Sequence, residues 1–143
     1  MAVRAKKEDA ALISNVPLFS LATKKELKSI SDRFEMREVT AGTHLTDEGK
    51  YGRDFFVVLS GSASCDVGGR RIRTFERGDF FGELALIAGG PRSATIIAET
   101  PMVVLALDRR EFSTVLHTSP TVALKVLRSV ASRLQQADHQ VTD

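Results

Sequence analysis

The chain has 143 residues, of which 43% are hydrophobic and 27% charged, and its formal net charge is +2. These values are typical of one globular domain, and they exclude a transmembrane span and the strong positive charge of a general nucleic-acid binder. A single cysteine, Cys65, excludes an intramolecular disulfide and predicts a reducing, cytoplasmic environment.

The N-terminal segment, residues 1–33, has the pattern of helices. Residues 8–15 predict a short helix, which the turn around Pro17 ends. Thr23 and Glu26 have the spacing of a capping box, in which a hydroxyl and a carboxylate bond the free amides at a helix start. A second helix is therefore predicted to begin at Thr23.

Residues 34–107 have the shorter period of β-strands. The apolar run 55–59 predicts a buried strand, and Gly68-Gly69 predicts a hairpin turn. Further strands are expected at 62–67, 94–98 and 102–107. Many short strands separated by glycine turns predict an antiparallel β-barrel or jelly roll, so the fold class is α+β and mainly β.

Residues 108–143 predict a pair of C-terminal helices. Asp108 and Glu111 repeat the capping pattern, and Ser119-Pro120 opens a longer helix. Its apolar seam is predicted at Ala123, Leu127, Val130 and Leu134, and its polar tail, 135–143, is expected to fray. The spacing leaves open whether this seam packs on its own domain or on a second copy.

The most informative segment is 80–95, called the cassette from here on. Its start, Gly82-Glu83-Leu84-Ala85, predicts one helical turn with small residues and free amides at its beginning. Arg92 follows a second glycine turn and offers a planar, permanently charged fork for a phosphate. Glu83 suits a ribose hydroxyl better than a phosphate. The cassette therefore predicts a pocket for a sugar phosphate.

The cassette resembles the phosphate-binding cassette of cyclic nucleotide-binding domains, found in the bacterial catabolite activator protein, protein kinase A regulatory subunits and nucleotide-gated channels. The ending Pro91-Arg92-Ser93-Ala94 and the Gly82-Glu83 pair carry this resemblance. The turn 49–52 and the strand 55–61 also look like the glycine turn and following strand of that family. The resemblance covers nearly the whole chain.

The resemblance implies a role for each matching residue. Glu83 would bind the ribose 2′-hydroxyl and Arg92 the cyclic phosphate. Ser93 and the amides of Leu84, Ala85 and Ala94 would complete the phosphate site. Phe80 and Leu84, with Val57 or a neighbour, would line the base and sugar. The expected ligand-binding residues are Phe80, Gly82, Glu83, Leu84, Ala85, Arg92, Ser93 and Ala94.

The expected ligand is cAMP, with cGMP as the alternative. Binding is expected to move the C-terminal helix pair about a hinge near 108–120. The chain is then a regulatory domain and not an enzyme, with no nucleic-acid or membrane partner. The expected partners are a second copy of the chain, bound through the last helix, or an output domain or protein outside this chain. The whole chain is expected to form one domain. It has an N-terminal helical segment in 1–33, a β-barrel in 34–107 and a C-terminal helix pair in 108–143.

Two other readings stay open. The same fold could serve as an interaction or dimerisation module that does not respond to nucleotide. A metal-dependent barrel enzyme would need clustered histidines, but His44, His117 and His139 are far apart in the sequence and match no metal-ligand spacing. The sequence therefore predicts no metal.

Overall fold

The computed structural model describes residues 3–4 and 9–142, with side chains described for residues 9–138. The described chain has nine strands, five α-helices and a short 3₁₀ helix that follows the first α-helix. The strands are β1 Val3–Arg4, β2 Glu35–Val39, β3 His44–Thr46, β4 Asp54–Ser60, β5 Ala63–Val67, β6 Arg70–Phe75, β7 Phe80–Phe81, β8 Thr95–Ala98 and β9 Met102–Asp108. The helices are α1 Ala10–Ser14, the 3₁₀ helix Pro17–Phe19, α2 Lys24–Ser31, α3 Glu83–Ile87, α4 Arg109–Thr118 and α5 Pro120–Thr142.

The strands form two antiparallel sheets. One has the order β1-β2-β9-β4-β7 and the other the order β3-β8-β5-β6. The predicted hairpin is confirmed: Val67 pairs with Arg70 across Gly68-Gly69, and both glycines have positive φ. The predicted mainly-β fold with an antiparallel jelly-roll arrangement is therefore confirmed. One local difference is β1, a strand within the segment 1–33 that was expected to be helical; it pairs with β2.

Strand β4 explains why the run 55–59 is apolar throughout. Phe55, Val57 and Leu59 pack into a core between the five-stranded sheet and the helices. Phe56 and Val58 point the other way, into the core between the two sheets. Because alternate side chains leave opposite faces of a strand, a strand covered on both sides needs apolar residues at every position.

The helix starts follow the predicted caps, with one difference. The Thr23 hydroxyl accepts from the Glu26 amide and the Glu26 carboxylate accepts from the Thr23 amide, which confirms the capping box. Asp108 accepts from the amides of residues 110 and 111 and so caps α4. The carboxylate of Glu111, however, pairs with Arg33 at 2.9 Å, so it joins α4 to the end of α2.

The packing face of α5 differs from the predicted seam. Val122, Val126 and Ser129 are buried against the domain, and Val130 is partly buried. Leu127 and Leu134 are 63% and 61% exposed, because they lie on the other side of the helix. The helix also continues to Thr142, through the tail that was expected to fray. Residue 8 of the first predicted helix lies outside the described residues.

Candidate functional site

The cassette begins with the predicted helical turn. Gly82 has φ +85° and directly precedes the five residues of α3. This left-handed backbone is open to glycine and strained for other residues, so the chain can turn sharply from β7 into α3. The Ala85 amide donates to the Gly82 carbonyl at 3.0 Å. The start of α3 thereby lies beside Asp54 and Phe55, at the start of β4.

Arg92 lies between two glycines at this turn. A β-carbon at Gly52 would stand 2.6 Å from Nε of Arg92, and one at Gly82 would stand 2.8 Å from Nη1. Nη2 of Arg92 donates to the main-chain carbonyl of Asp54 at 2.7 Å. The absence of side chains at positions 52 and 82 therefore provides the space that the guanidinium occupies.

The backbone of the glycine turn is joined to the cassette at the same place. The Arg92 amide donates to the Lys50 carbonyl at 2.8 Å, and the Gly49 amide donates to the Arg92 carbonyl at 2.8 Å. Residues 49–52 and the cassette therefore form one unit, although Arg92 lies 42 positions after Lys50 in the sequence.

Arg92 has no carboxylate within ion-pair distance among the residues that the structure describes. The side chain of the nearby Asp54 pairs with Arg37 at 2.9 Å instead. Burial lowers the pKa of Arg92 below its usual value, and the negative charge of Asp54 partly opposes this. A desolvated cation without a direct counter-ion favours an anionic ligand.

A cavity of about 130 Å³ opens beside this guanidinium. Arg92, Ser93 and Thr46 are its polar lining residues, and most of the others are apolar. The lining residues are Thr46, Cys65, Phe75, Phe81, Gly82, Arg92, Ser93, Ala94 and Ile96. The Thr46 hydroxyl is already engaged, since it donates to the Ala94 carbonyl at 2.9 Å. A positive charge, hydroxyl groups and apolar side chains thus line one cavity.

The structure divides the predicted site residues into two groups. Gly82, Arg92, Ser93 and Ala94 line the cavity. Phe80, Glu83, Leu84, Ala85 and Val57 do not. Phe80 packs toward the helix-side core with its ring 6.0 Å from that of Phe55, and Val57 is fully buried there. Leu84 is exposed on the outer side of α3, and Ala85 is buried within it.

Glu83 makes a contact that the sequence analysis did not anticipate. Its Oε1 accepts from Nη1 of Arg133 on α5 in a direct ion pair. The Glu83 side chain is only 8% exposed, whereas that of Arg133 is 46% exposed. Oε2 of Glu83 is buried and has no hydrogen-bond partner among the described residues. Glu83 therefore faces α5, while Arg92 faces the cavity.

Part of the apolar wall consists of residues that no sequence motif indicated. Phe81, Phe75, Cys65 and Ile96 line the cavity, and the ring of Phe81 lies 5.0 Å from that of Phe75. Burial raises the pKa of the Cys65 thiol, and Arg73 opposes this shift. Period-two alternation would have shown that Phe80 and Phe81 face opposite sides, but not which side holds the cavity.

Neither a metal centre nor a membrane helix stands out in the described part of the chain. No group of three or more histidine, cysteine or acidic side chains is arranged to hold a metal ion there. Within the same residues, no helix has both the length and the apolar character needed to cross a bilayer.

Comparison with known proteins identifies the family. The model of the cyclic nucleotide-binding domain matches residues 36–119, which include the glycine turn, the cassette and all of α4. The chain belongs to the cyclic nucleotide-binding domain family. The resemblance stated from the cassette residues is thus confirmed, and the family is one of regulatory, ligand-binding domains.

Similar proteins include a kinase regulatory subunit and two solved structures. The cAMP-dependent protein kinase regulatory subunit of Hypocrea atroviridis is 35% identical over 104 residues, which are 73% of this chain and 22% of that protein. The N-terminal domain of a transcriptional regulator from Streptomyces coelicolor A3(2) superposes with a TM-score of 0.84 at 26% identity, covering 91% of this chain and 94% of that one. The structure titled cAMP bound PfPKA-R (141-441) gives a TM-score of 0.68 at 28% identity, covering 96% and 48%.

Proposed function

We propose that this chain is a cAMP-binding regulatory domain whose C-terminal helices change arrangement when nucleotide binds. The observation that carries the proposal is the position of Arg92. Its guanidinium stands at the wall of the cavity, between Gly52 and Gly82, and lacks a carboxylate counter-ion among the described residues. A cyclic phosphate would supply the missing negative charge.

Each polar group of the cassette has a proposed role. Arg92 pairs with the phosphate, and the Ser93 hydroxyl with the amides of residues 84, 85 and 94 completes its site, the Ala85 amide exchanging its bond to the Gly82 carbonyl for one to the phosphate. Gly82 admits the ligand close to the backbone. Glu83 accepts from the ribose 2′-hydroxyl, as the family resemblance implies. Phe80 and Leu84 are kept as proposed contacts of the base and sugar, although neither lines the present cavity.

The mostly apolar lining of the cavity favours adenine over guanine. Guanine carries donors at N1 and at its 2-amino group, whereas adenine carries one donor group, its 6-amino, and burying a donor without an acceptor is costly. No carboxylate is among the lining residues that the structure describes, and the Thr46 hydroxyl already bonds Ala94. The unequal cost for the two bases supports cAMP, with cGMP as the alternative.

The size of the cavity supports a conformational response. Small-molecule sites usually measure about 300–1,000 Å³, whereas this cavity measures about 130 Å³. A nucleotide therefore has to widen the site, and the segment that covers Glu83 is α5. We place the hinge of this movement near 108–120, where β9 gives way to the C-terminal helices.

Titration calorimetry of the chain with cAMP, cGMP and 5′-AMP tests the proposal. We expect the tightest binding for cAMP, weaker binding for cGMP and the weakest for the acyclic 5′-AMP. Tighter binding of cGMP would show that the preferred ligand is cGMP, and the proposed binding site would remain the same. A folded protein that gives no heat with either cyclic nucleotide would overturn the proposal.

A second candidate function is a nucleotide-independent dimerisation module. Leu124, Leu127 and Leu134 are exposed on the outer side of α5, at spacings of three and seven residues. Such a stripe suits a helix of a second copy. Light scattering with and without cAMP separates the candidates, because a sensor changes state on nucleotide addition. If the chain is a dimer through this stripe, the double variant Leu127→Ser/Leu134→Ser should be monomeric.

The output of the domain is also a proposal. The chain spans 22% of the length of the fungal regulatory subunit and 48% of the solved kinase regulator. We propose that it acts in the cytoplasm by regulating another domain or subunit, without catalysis of its own and without contact to nucleic acid or membrane. Co-purification of the native protein from cells, with and without added cAMP, would identify that partner.

A further inference from the structure

Asp54 stands between two arginines, one on each side of strand β4. Its carboxylate accepts from Nη1 of Arg37 at 2.9 Å, while its main-chain carbonyl accepts from Nη2 of Arg92 at 2.7 Å. Arg37 belongs to β2, which lies beyond β9 on one side of β4, and Arg92 lies beside Gly82, which follows β7 on the other side. One residue thus serves both guanidinium groups, with a different oxygen for each.

The Asp54 carboxylate is near enough to Arg92 to change partners. Burial lowers the pKa of Arg92 and the charge of Asp54 partly opposes this, so the two charges already interact. The carboxylate belongs to the same residue as the carbonyl that Arg92 contacts, so a rotation about χ1 can bring it toward this guanidinium. The Asp54 side chain is 28% exposed, and packing therefore leaves it room to turn. Without another partner, this carboxylate would take the place that the proposed function gives to the phosphate.

Arg37 holds the carboxylate on the other side of the strand. Its Nε donates to Oε1 of Glu35 at 2.9 Å, which fixes the guanidinium while Nη1 binds Asp54. Burial alone would lower the pKa of Arg37, but the hydrogen bonds and charges of these two carboxylates raise it overall. The pKa values of Arg37 and Arg92 therefore shift in opposite directions, although both groups lie beside Asp54. The carboxylate thus neutralises Arg37 and leaves Arg92 available to another anion.

We propose that Arg37 is a positioning residue for nucleotide binding, which keeps the Asp54 carboxylate away from Arg92 and so leaves that guanidinium free for the phosphate. The inference rests on the proposed function, because it needs the phosphate to bind Arg92. Arg37 is not among the residues that line the cavity, so it acts through Asp54. When Arg37 is removed, the carboxylate turns to Arg92 and competes with the anionic ligand for the same donors.

A double-mutant cycle on Arg37 and Asp54 tests this role by titration calorimetry. Arg37→Gln should weaken cAMP binding about fivefold, the upper value for a partly exposed ion pair that the ligand then has to break. Asp54→Asn removes the competing charge but keeps the main-chain carbonyl that contacts Arg92, so it should bind cAMP at least as tightly as the parent. The double variant has the net charge of the parent and should recover its affinity. A role of Arg37 confined to tying β2 to β4 would give no such rescue, because the pair stays broken.

The matched control is Arg71→Gln. Arg71 is also a strand arginine in a partly exposed ion pair, with Glu99 at 3.1 Å, but it does not line the cavity. This substitution removes the same charge and breaks one ion pair, and it should leave the cAMP affinity close to that of the parent. Arg37→Lys keeps a cation that can hold Asp54, so it should retain most of the affinity that Arg37→Gln loses. Circular dichroism melting confirms that each variant is folded before titration.

Nuclear magnetic resonance gives a second readout that needs no nucleotide. The side-chain Nε–H signal of Arg92, identified by its absence in Arg92→Lys, should move in Arg37→Gln and return in the double variant, because the guanidinium gains and then loses a carboxylate partner. An unmoved signal, an unchanged affinity in Arg37→Gln, or a loss that Asp54→Asn does not rescue would overturn the positioning role. A parent chain that binds neither cyclic nucleotide would reject the proposed function, and the Arg92 signal alone would then decide whether Arg37 holds Asp54 away from Arg92.

Discussion

Arg92 and Gly52 are in direct contact: a β-carbon at position 52 would stand 2.6 Å from Nε of Arg92. Gly52 has no positive φ, unlike every other glycine of the chain. Its backbone therefore tolerates any L-residue, and what position 52 lacks is space. Because of this contact, an alanine substitution at position 52 tests where the guanidinium of Arg92 lies.

Gly52→Ala should weaken cAMP binding about tenfold, the lower end of the effect of losing a hydrogen bond to a charged group. The added methyl displaces Arg92 without straining the backbone, so the melting temperature should change little. Calorimetry measures the cAMP affinity of this variant and of Tyr51→Ala, a control that truncates the exposed side chain of the neighbouring residue. Equal affinities for the two variants would show that Arg92 does not bind the ligand from this position.

Arg92→Ala should cost on the order of 2–5 kcal/mol of cAMP binding, because the phosphate would lose its partly desolvated charge partner. Arg92→Lys keeps the charge but loses the planar fork, so it should fall between the parent and Arg92→Ala. The measurement is calorimetric titration of all three proteins. If the alanine variant binds as tightly as the parent, the assignment of the phosphate to Arg92 is wrong.

Arg92→Met should leave the domain without nucleotide about as stable as the parent. The reason is that the parent holds a partly buried cation without a direct carboxylate partner, and an apolar side chain avoids its desolvation. Thermal melts with and without cAMP measure both effects. The variant should also lose the stabilisation that cAMP gives the parent. A clear loss of stability without nucleotide would contradict this account.

Cys65 should react slowly with iodoacetamide at neutral pH. Its thiol pKa is raised by burial, so less thiolate is present than in an exposed cysteine at the same pH. The rate should still be rising above the ordinary thiol pKa, and cAMP should lower it, since Cys65 lines the cavity. Mass spectrometry follows this directly, because the chain has one cysteine. Reaction at the rate of free cysteine, unaffected by cAMP, would place the ligand elsewhere.

The Lys125–Glu26 pair should make stability depend on pH. The hydrogen bond from Lys125 lowers the pKa of Glu26, and the Thr23 amide adds to this. A lowered carboxyl pKa stabilises the fold above the ordinary value, and this contribution is lost as the pH falls through the folded value. Lys125→Gln should therefore cost at most about 1 kcal/mol at pH 7, and this cost should shrink as the pH falls below the ordinary carboxyl pKa.

Denaturant unfolding at several pH values measures this dependence. Lys28→Gln is the control, since it removes the same charge from an exposed position on α2. The Lys28 variant should lack the difference between neutral and acidic pH that Lys125→Gln shows. Parallel pH profiles for the two variants would mean that the Lys125–Glu26 contact contributes no specific stability.

The features that the sequence predicted are those that neighbouring residues determine. The Thr23–Glu26 capping box involves atoms within one turn, and the hairpin at Gly68-Gly69 depends on the φ that glycine permits. The helical turn after Gly82 belongs to the same class. The cassette pattern was also sufficient to recognise the family, because its spacing is local.

The features that the sequence did not predict depend on which face of an element is covered. Period-two alternation separates Phe80 from Phe81, but only the pairing of β7 with β4 decides which one meets the cavity. On α5, Val126 packs and Leu127 stays exposed, although both are equally apolar.

The amino-acid order by itself determined the caps, the turns, the cassette and therefore the family. Only the tertiary structure decided that Arg92 faces the cavity while Glu83, nine positions earlier, meets Arg133 on α5. The reason is physical: local hydrogen bonds and φ preferences act between near neighbours, whereas the partner of a buried charge is set by the elements that pack around it.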